Sequence, residues 1–474
     1  MKVVRIEEKG FKHRIASVPP HAISGFFYLD DLVLLRRTHK YFSGVCKIAS
    51  PIINLTIADG KITEQFPKAR LLIDSVYDEI LPQLERSVLP RVTSLNISRE
   101  SMELGTIPEI VAMTKIMSVH FPYSYPVTRS LLTKLTDLRK LSLASDMALL
   151  PDDLSSLPIT SLSTNGGTPL SVETFRSLKL TELGTNAQNI KLLSDELVQN
   201  RYTILTNLNL EIYREDVSIL VGTIAKMAWL RELTIRGGRS FPYVECLSNL
   251  TNLTYLKIGY DNDPIRIPFL PRLETFILVR LNISKVDFEF PLFPLDNLTH
   301  VEIKGYDIKF NTRFMKNLTS LNYDQQGELE SRQLCEFKKL ARLTLINNEE
   351  KSKVIDITYL NSLTSLKSGG TYYLVGSQRK LKFVRTSDNI VNRNLESLDI
   401  CGGNNILGID DDLLEGFPNL RSMSIRRAAP ELKGSCFKKL PNLFLLKIGR
   451  INNLSSESLS LLMGRGVLIK YYRN

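Results

Sequence analysis

Apolar residues recur along this chain in one short phrase: an apolar residue, two others, a second apolar, two others, then two apolar residues flanking a polar one. It reads LTDLRKLSL at 135–143, WLRELTI at 229–235 and LSNLTNLTYLKI at 247–258. It returns as FKKLARLTLINN at 337–348, FPNLRSMSI at 417–425 and FKKLPNLFLLKI at 437–448. The closing alternation has the period of a β-strand, so one set of side chains faces a core and the residues between face outward. The first core residue of each such strand falls at Leu71, Leu95, Val119, Leu141, Leu162, Leu183, Leu208, Leu233 and Leu256, then at Phe276, Val301, Leu321, Leu343, Leu366, Leu398, Met423 and Leu446. Successive steps are 20 to 25 residues, except one of 32 between Leu366 and Leu398. A repeat is therefore established before any element is assigned singly. An eighteenth strand is expected at Leu468, and a short one at 53–57 ahead of the series.

The segments that return the chain from one strand to the next are less uniform. SDELVQN at 194–200, EDVSILVGTIAKM at 215–227 and SSESLSLLMG at 455–464 read as helices, each opened by a serine or an acid suited to an N-terminal cap. DNDPIRIPFLPRL at 261–273 holds too much proline for a helix and should be extended.

The phrase and its period resemble the leucine-rich repeat, over residues 51–474. The resemblance implies an α/β solenoid of about 17 repeats, with a parallel sheet on a concave face, an irregular or helical convex side, and an insertion near 369–392. The asparagine that closes the family's motif is matched at Asn348, while Asp146, Gly238, Asp261 and Gly403 stand in that slot elsewhere. Uneven turns are the expectation.

Residues 1–50 lie ahead of the array and read differently. The stretch VPPHAISGFFYLDDLVLLRRTHKYF at 18–42 enters a short helix through Pro19 and Pro20, with Ile23, Phe26 and Phe27 spaced along one face. Asp30 or Asp31 can cap a second helix carrying Leu32 and Leu35. The order of these pieces is similar to the F-box, the adaptor-binding motif of receptors in cullin-RING ubiquitin ligases. VPPHAI stands for the family's LPxEIL, GFFYL for IFxYL, and DLVLLRRTHKYF at 31–42 for DLxxLRxTCKxF, with about three residues fewer between Phe27 and Asp31. The resemblance implies that Pro19, Pro20, Ile23, Phe26, Phe27, Leu32 and Leu35 dock a Skp-family adaptor. The same residues suit a plain cap covering the first repeat, and the two roles are compatible.

Composition narrows the function classes. The chain of 474 residues carries a net charge of +11, concentrated at its ends: +5 in residues 1–50 and +9 in residues 421–474. A nucleic-acid binder would show a continuous basic stripe with interleaved aromatics, which this distribution does not supply. A solvated basic face accounts for it, and an acidic partner at the C-terminal end is the alternative. Five scattered cysteines form no CxxC pair, and none of the five histidines has metal-ligand spacing. No phosphate-binding glycine loop occurs, so no cofactor, metal or catalytic role is expected. The acids Asp410 to Asp412 with Glu415 read as a solvated turn. No apolar stretch reaches the length of a membrane span, and the start has no apolar leader. A cytoplasmic, also nuclear, monomer is the expectation. N-glycosylation sequons are frequent and would favour an extracellular recognition protein, but several are the Asn-Leu-Thr of the repeat itself.

What remains is display. The outward strand positions, with Arg236, Tyr255, Lys257, Lys304, Arg342, Arg426 and Lys447 among them, should form a protein-binding surface on the concave face. The reading is a non-enzymatic recognition module, a ubiquitin-ligase substrate receptor by resemblance. The alternative is a scaffold whose N-terminal segment is only a cap.

Overall fold

The computed structural model describes residues 52–54, 70–76, 88–97, 107–121, 127–143, 154–164, 170–198, 203–212, 217–237, 244–260, 267–280, 287–305, 307–325, 334, 336–347, 354–355, 360–369, 382–383, 394–400, 410–425, 432–449 and 453–472. The stretch 18–42 falls outside them, as does most of the insertion near 369–392.

The chain divides into two compact units, Met1–Thr223 and Ile224–Asn474. In the first, eight strands pair in chain order and all in parallel: β1 (Ile52–Asn54), β2 (Arg70–Val76), β3 (Val92–Ile97), β4 (Ser118–Phe121), β5 (Lys140–Leu143), β6 (Ser161–Thr164), β7 (Glu182–Asn186) and β8 (Asn207–Glu211). The second unit repeats the arrangement with eleven strands: β9 (Glu232–Arg236), β10 (Tyr255–Tyr260), β11 (Thr275–Arg280), β13 (His300–Lys304), β15 (Ser320–Gln325), β16 (Arg342–Asn347), β18 (Ser365–Gly369), β20 (Ser397–Ile400), β21 (Ser422–Ile425), β22 (Leu445–Ile448) and β23 (Leu468–Tyr471). Two small parallel pairs lie outside this sheet: β12 (Asp287–Phe290) with β14 (Asp307–Phe310), and β17 (Val354–Ile355) with β19 (Lys382–Phe383). All seventeen core positions read from the sequence lie on strands. At the eighteenth the register differs by one: Ile469, not Leu468, stands in the core row beside Leu446.

The in-register pairing stacks each core residue on its counterpart one repeat away. Leu95, Val119, Leu141, Leu162, Leu183 and Leu208 form one such row, none more than 2% exposed. At about 1.5–3 kcal/mol per buried aliphatic side chain, these rows are the main source of stability, and no repeat can form its row alone.

Between repeats a second ladder runs through the Asn-Leu-Thr triplets. Asn252, Asn297 and Asn317 donate their side-chain amides to the carbonyls of Ala228, Pro271 and Asp296, at 2.9, 2.7 and 2.6 Å. Thr254, Thr299 and Thr319 donate their hydroxyls to Arg231, Glu274 and Thr299, at 3.2, 3.2 and 3.0 Å. The leucines between them, Leu253, Leu298 and Leu318, are fully buried. The sequon spacing thus has a structural cause: each triplet places one apolar and two hydrogen-bonding side chains against the preceding repeat. The slots at 146, 238, 261, 348 and 403 fall outside the described residues.

The returns follow the expected mixture, with two corrections. The helix foreseen from Ser194 begins at Ala187 and runs to Val198. Strand β7 passes into it directly because the Asn186 side chain accepts from the Asn189 amide at 2.9 Å and caps it. Asn189 is itself buried: its amide donates to Thr185 at 2.9 Å and its carbonyl oxygen accepts from the Leu170 amide at 3.0 Å. The acidic run is not a solvated turn. Asp410 caps a helix at Asp411–Glu415 through the Leu413 amide, at 2.7 Å. The Asp411 carboxylate accepts from the backbone amides of Lys433, Gly434 and Cys436 in the next repeat. Gly434, at φ 93, makes that convergence possible. Burial alone would raise the Asp411 pKa, but the thiol and amide donors facing it outweigh burial and hold it below the ordinary value.

Candidate functional site: the open face of the sheet

The strands β3 to β11, β13, β15, β16, β18 and β20 to β22 have one face in the core and one facing away from it, and on that open face the outward residues form rows set by the register. In the second unit the central row runs Thr234, Lys257, Ile277, Glu302, Asn322, Thr344, Lys367, Asp399, Ser424, Lys447 and Lys470. Tyr255 and Arg342 stand in the row before it, and Arg236 and Lys304 in the row after it. The structure therefore puts Arg236, Tyr255, Lys257, Lys304, Arg342 and Lys447 on a single face, while Arg426 lies outside the described residues. They do not converge on a point. From β9 to β22 the sheet makes nine steps of about 4.8 Å, or about 43 Å along its width.

Charges alternate along this face. Lys304 Nζ lies 2.7 Å from Glu302 Oε1 on its own strand. Tyr255 is flanked by Glu232, Glu302 and Arg236. Its phenol pKa is raised by burial first and then by the two carboxylates, against Arg236, so it remains a hydroxyl donor at neutral pH. Asn322 Oδ1 is withdrawn from solvent with no hydrogen-bond partner among the described residues, an acceptor left open in the middle of the row.

The first unit presents a different face. Its central row reads Asn96, His120, Ser142, Ser163, Gly184 and Asn209, and the row before it Ser94, Ser118, Lys140, Ser161, Glu182 and Asn207. These short side chains leave a depression of about 400 Å³ over β3 to β7. His120 Nδ1 is 2.8 Å from Ser142 Oγ, and burial pushes the imidazole pKa down, so the ring is neutral at pH 7. Lys140 and Glu182 face each other across one strand at 3.4 Å. Gly184 gives Ser163 its room, because a Cβ at that position would come 2.7 Å from Ser163 Oγ and the serine would have to shift. Sequence reasoning named none of this depression, although the same outward register that gave Lys257 gives His120 and Ser142.

A serine beside a neutral imidazole has the look of a nucleophile and its base, but acyl transfer also needs donors for the oxyanion. The strand amides around this pair are taken up by the parallel ladder. What the described residues form here is a hydrogen bond between two open-face side chains in the floor of the depression. Among the described residues no three His, Cys, Asp or Glu side chains cluster to hold a metal, and no helix is long and apolar enough to cross a membrane. Cys436, the free thiol among them, is buried, and burial together with Asp411 pushes its pKa far up.

No protein-family model and no curated protein matches the sequence. Among solved structures the chain is similar to a leucine-rich-repeat protein of Leptospira interrogans, at 16% identity over 88% of this chain and 92% of that one, with a TM-score of 0.36. It is similar to a chain of the Toll–Spatzle complex of Drosophila, at 14% identity over 89% and 60%, TM-score 0.41. It is also similar to the functional domain of InlJ from Listeria monocytogenes, at 16% identity over 83% and 65%, TM-score 0.31. The strand-per-repeat pairing, the stacked core rows and the repeat period stand without them, and they give the chain an α/β solenoid fold of the leucine-rich-repeat kind.

Proposed function

We propose that the chain is a protein-recognition module whose partner lies across the open face of the second unit. The observation that carries this reading is the row from Thr234 to Lys470. It is a ribbon ten sheet steps wide, about 48 Å, in which Lys257, Glu302, Lys367, Asp399 and Lys447 alternate in sign among neutral side chains before a last lysine, Lys470. Three such rows, about 13 Å from first to last, give several hundred Å² of rigid surface, near the share one partner contributes to a standard interface. A polyanion would be repelled by Glu302 and Asp399, whereas a protein surface can answer alternate signs one by one.

The finer proposal is a substrate receptor of a cullin-RING ubiquitin ligase. It rests on the F-box-like order of residues 18–42, with Pro19, Pro20, Ile23, Phe26, Phe27, Leu32 and Leu35 docking a Skp-family adaptor. Such a receptor performs no chemistry; it raises the effective concentration of the bound target beside the ligase. Co-purification with a Skp-family adaptor tests it, with a Phe26→Ala, Phe27→Ala, Leu35→Ala variant alongside. Capture of the parent by the adaptor, and loss of capture in a variant whose circular dichroism is unchanged, is the expected result. No capture of the parent rejects the ligase role and leaves a recognition scaffold.

A further inference from the structure

We infer that the flank of the second unit, where the returns leading into β11, β13 and β15 approach the sheet, is a docking site for an acidic amphipathic helix of another protein. This surface is not the open face, and the inference does not depend on the open-face reading.

Prolines shape the flank. Pro268 and Pro271 stand in the return at 267–273, and Pro291 and Pro294 in the return at 291–298. Proline lacks the N–H that a helix needs and obstructs the turn before it. Neither return forms a helix, whereas matching stretches of the same unit run as 3-10 helices at Val244–Asn249, Thr312–Phe314 and Ser435–Lys439. Both returns still bury their leucines, Leu270 and Leu273 in one, Leu295 and Leu298 in the other. What they leave outside is apolar: Phe269 is 49% exposed, Phe293 44% and Leu292 40%.

Stacking of the repeats brings these side chains together. The Asn297 amide reaches the Pro271 carbonyl at 2.7 Å, and the Leu295 N–H donates to the Phe314 carbonyl at 2.9 Å. Phe269, Pro294 and Phe314 each precede the same buried position, filled by Leu270, Leu295 and Met315. They therefore follow one another across the flank at about one repeat step, about 5 Å. An α-helix rises about 5.4 Å per turn, so a helix laid across the repeats sets one apolar residue of each turn against one return.

Charge selects which helix. The returns at 267–273, 291–298 and 312–318 carry Arg272, Arg313 and Lys316 against Asp296. Arg272 is tied to Asn252 Oδ1 at 2.7 Å. In the next return, Lys339 reaches back to Asn317 Oδ1 at 2.6 Å, and Glu336 is taken up by the Thr312 hydroxyl. Arg313 and Lys316 are exposed and meet no carboxylate among the described residues. A helix with acids beside its apolar stripe supplies them. A second copy would bring the same excess of cations to the seam. An anionic lipid surface would be repelled by Asp296, in the same return as Phe293, whereas a helix can turn a neutral residue toward it.

The test uses the full chain and a blocked peptide of about 14 residues, four helical turns, with leucines along one face and glutamates beside them. A control peptide has lysine for every glutamate. Binding is read by fluorescence anisotropy and the fold of each variant by circular dichroism. The glutamate peptide should bind roughly tenfold more tightly than the control and lose that advantage as salt is added. Phe269→Ser with Phe293→Ser should weaken it roughly tenfold or more. Arg313→Glu with Lys316→Glu should reverse the preference between the peptides, and it keeps the test open if the serine variant unfolds. Lys257→Glu with Lys447→Glu, on the open face, should leave the affinity unchanged. Binding of neither peptide, equal binding of both, or an affinity moved by the open-face variant and not by the flank variants would overturn the proposal. So would capture of the chain by phosphatidylserine vesicles that the serine variant abolishes, which means a lipid surface. A mass that doubles with concentration in the parent alone would overturn it too, since a second copy then covers the flank.

Discussion

The two units share a core and differ in what they show. Leu95 to Leu208 in the first unit and Leu233 to Leu446 in the second occupy the same register and are equally buried. The residues between them diverge. Asn96, His120, Ser142, Ser163, Gly184 and Asn209 carry no formal charge, while the matching row of the second unit sets Lys257, Glu302, Lys367, Asp399, Lys447 and Lys470 among five neutral residues. Alternation along a strand is the reason. The inward position is fixed by packing against the next repeat, whereas the outward one is bound by no packing and can be spent on recognition.

Four changes would break or sharpen that comparison, in falling order of effect. Truncating the shared core should cost the same in either unit: Leu162→Ala and Leu343→Ala should each lose about 2–5 kcal/mol in denaturant unfolding. A large asymmetry would mean that the rows are not equivalent. The buried hydrogen-bond network of Asn189 lies in the first unit. Asn189→Ala should cost it about 1–3 kcal/mol, because the Leu170 amide loses this acceptor and the Thr185 hydroxyl keeps Thr164 but loses the Asn189 amide. Enlarging the face should be felt only in the first unit. Gly184→Leu must displace Ser163 and should cost about 1–3 kcal/mol, against less than about 0.5 for Thr344→Leu.

The smallest effect is in pH. Burial lowers the His120 pKa from its ordinary 6.5, so the unfolded chain takes up that proton more readily. Its stability contribution is intact above pH 6.5 and is lost as the pH falls below it. His120→Gln should flatten that part of the slope in thermal melts between pH 7 and 5. His300 in the second unit is lowered in the same direction by burial and by Arg342, with Glu302 opposing, so His300→Gln should remove a separate part.

How much of this was legible in the sequence follows from the same alternation. The strands were, because two inward leucines separated by one residue are required at every repeat. Their open-face neighbours were legible by register, and the positions of Lys257, Tyr255 and Arg342 follow from it. Helix boundaries were not. Ser194 has the residue type of a cap, but the helix starts where Asn186 meets the Asn189 amide, and that depends on β7 ending against Thr164 and Leu170 in the previous repeat. Asp411 likewise reads as a solvated acid until the next repeat brings three amides to it. In both cases the deciding partner is about 20 residues away in sequence and one repeat away in space. The depression at His120 went unread for a different cause, since small serines carry no chemical signal until the register lines them up.

The measurement that most directly tests display by the second unit is amine-reactive footprinting of the full chain, alone and in complex with a purified partner. Lys257, Lys304 and Lys447 should lose reactivity on binding, while Lys191, Lys226 and Lys338, away from the open face, keep theirs. Protection of the latter set with the open-face lysines unchanged would contradict the account.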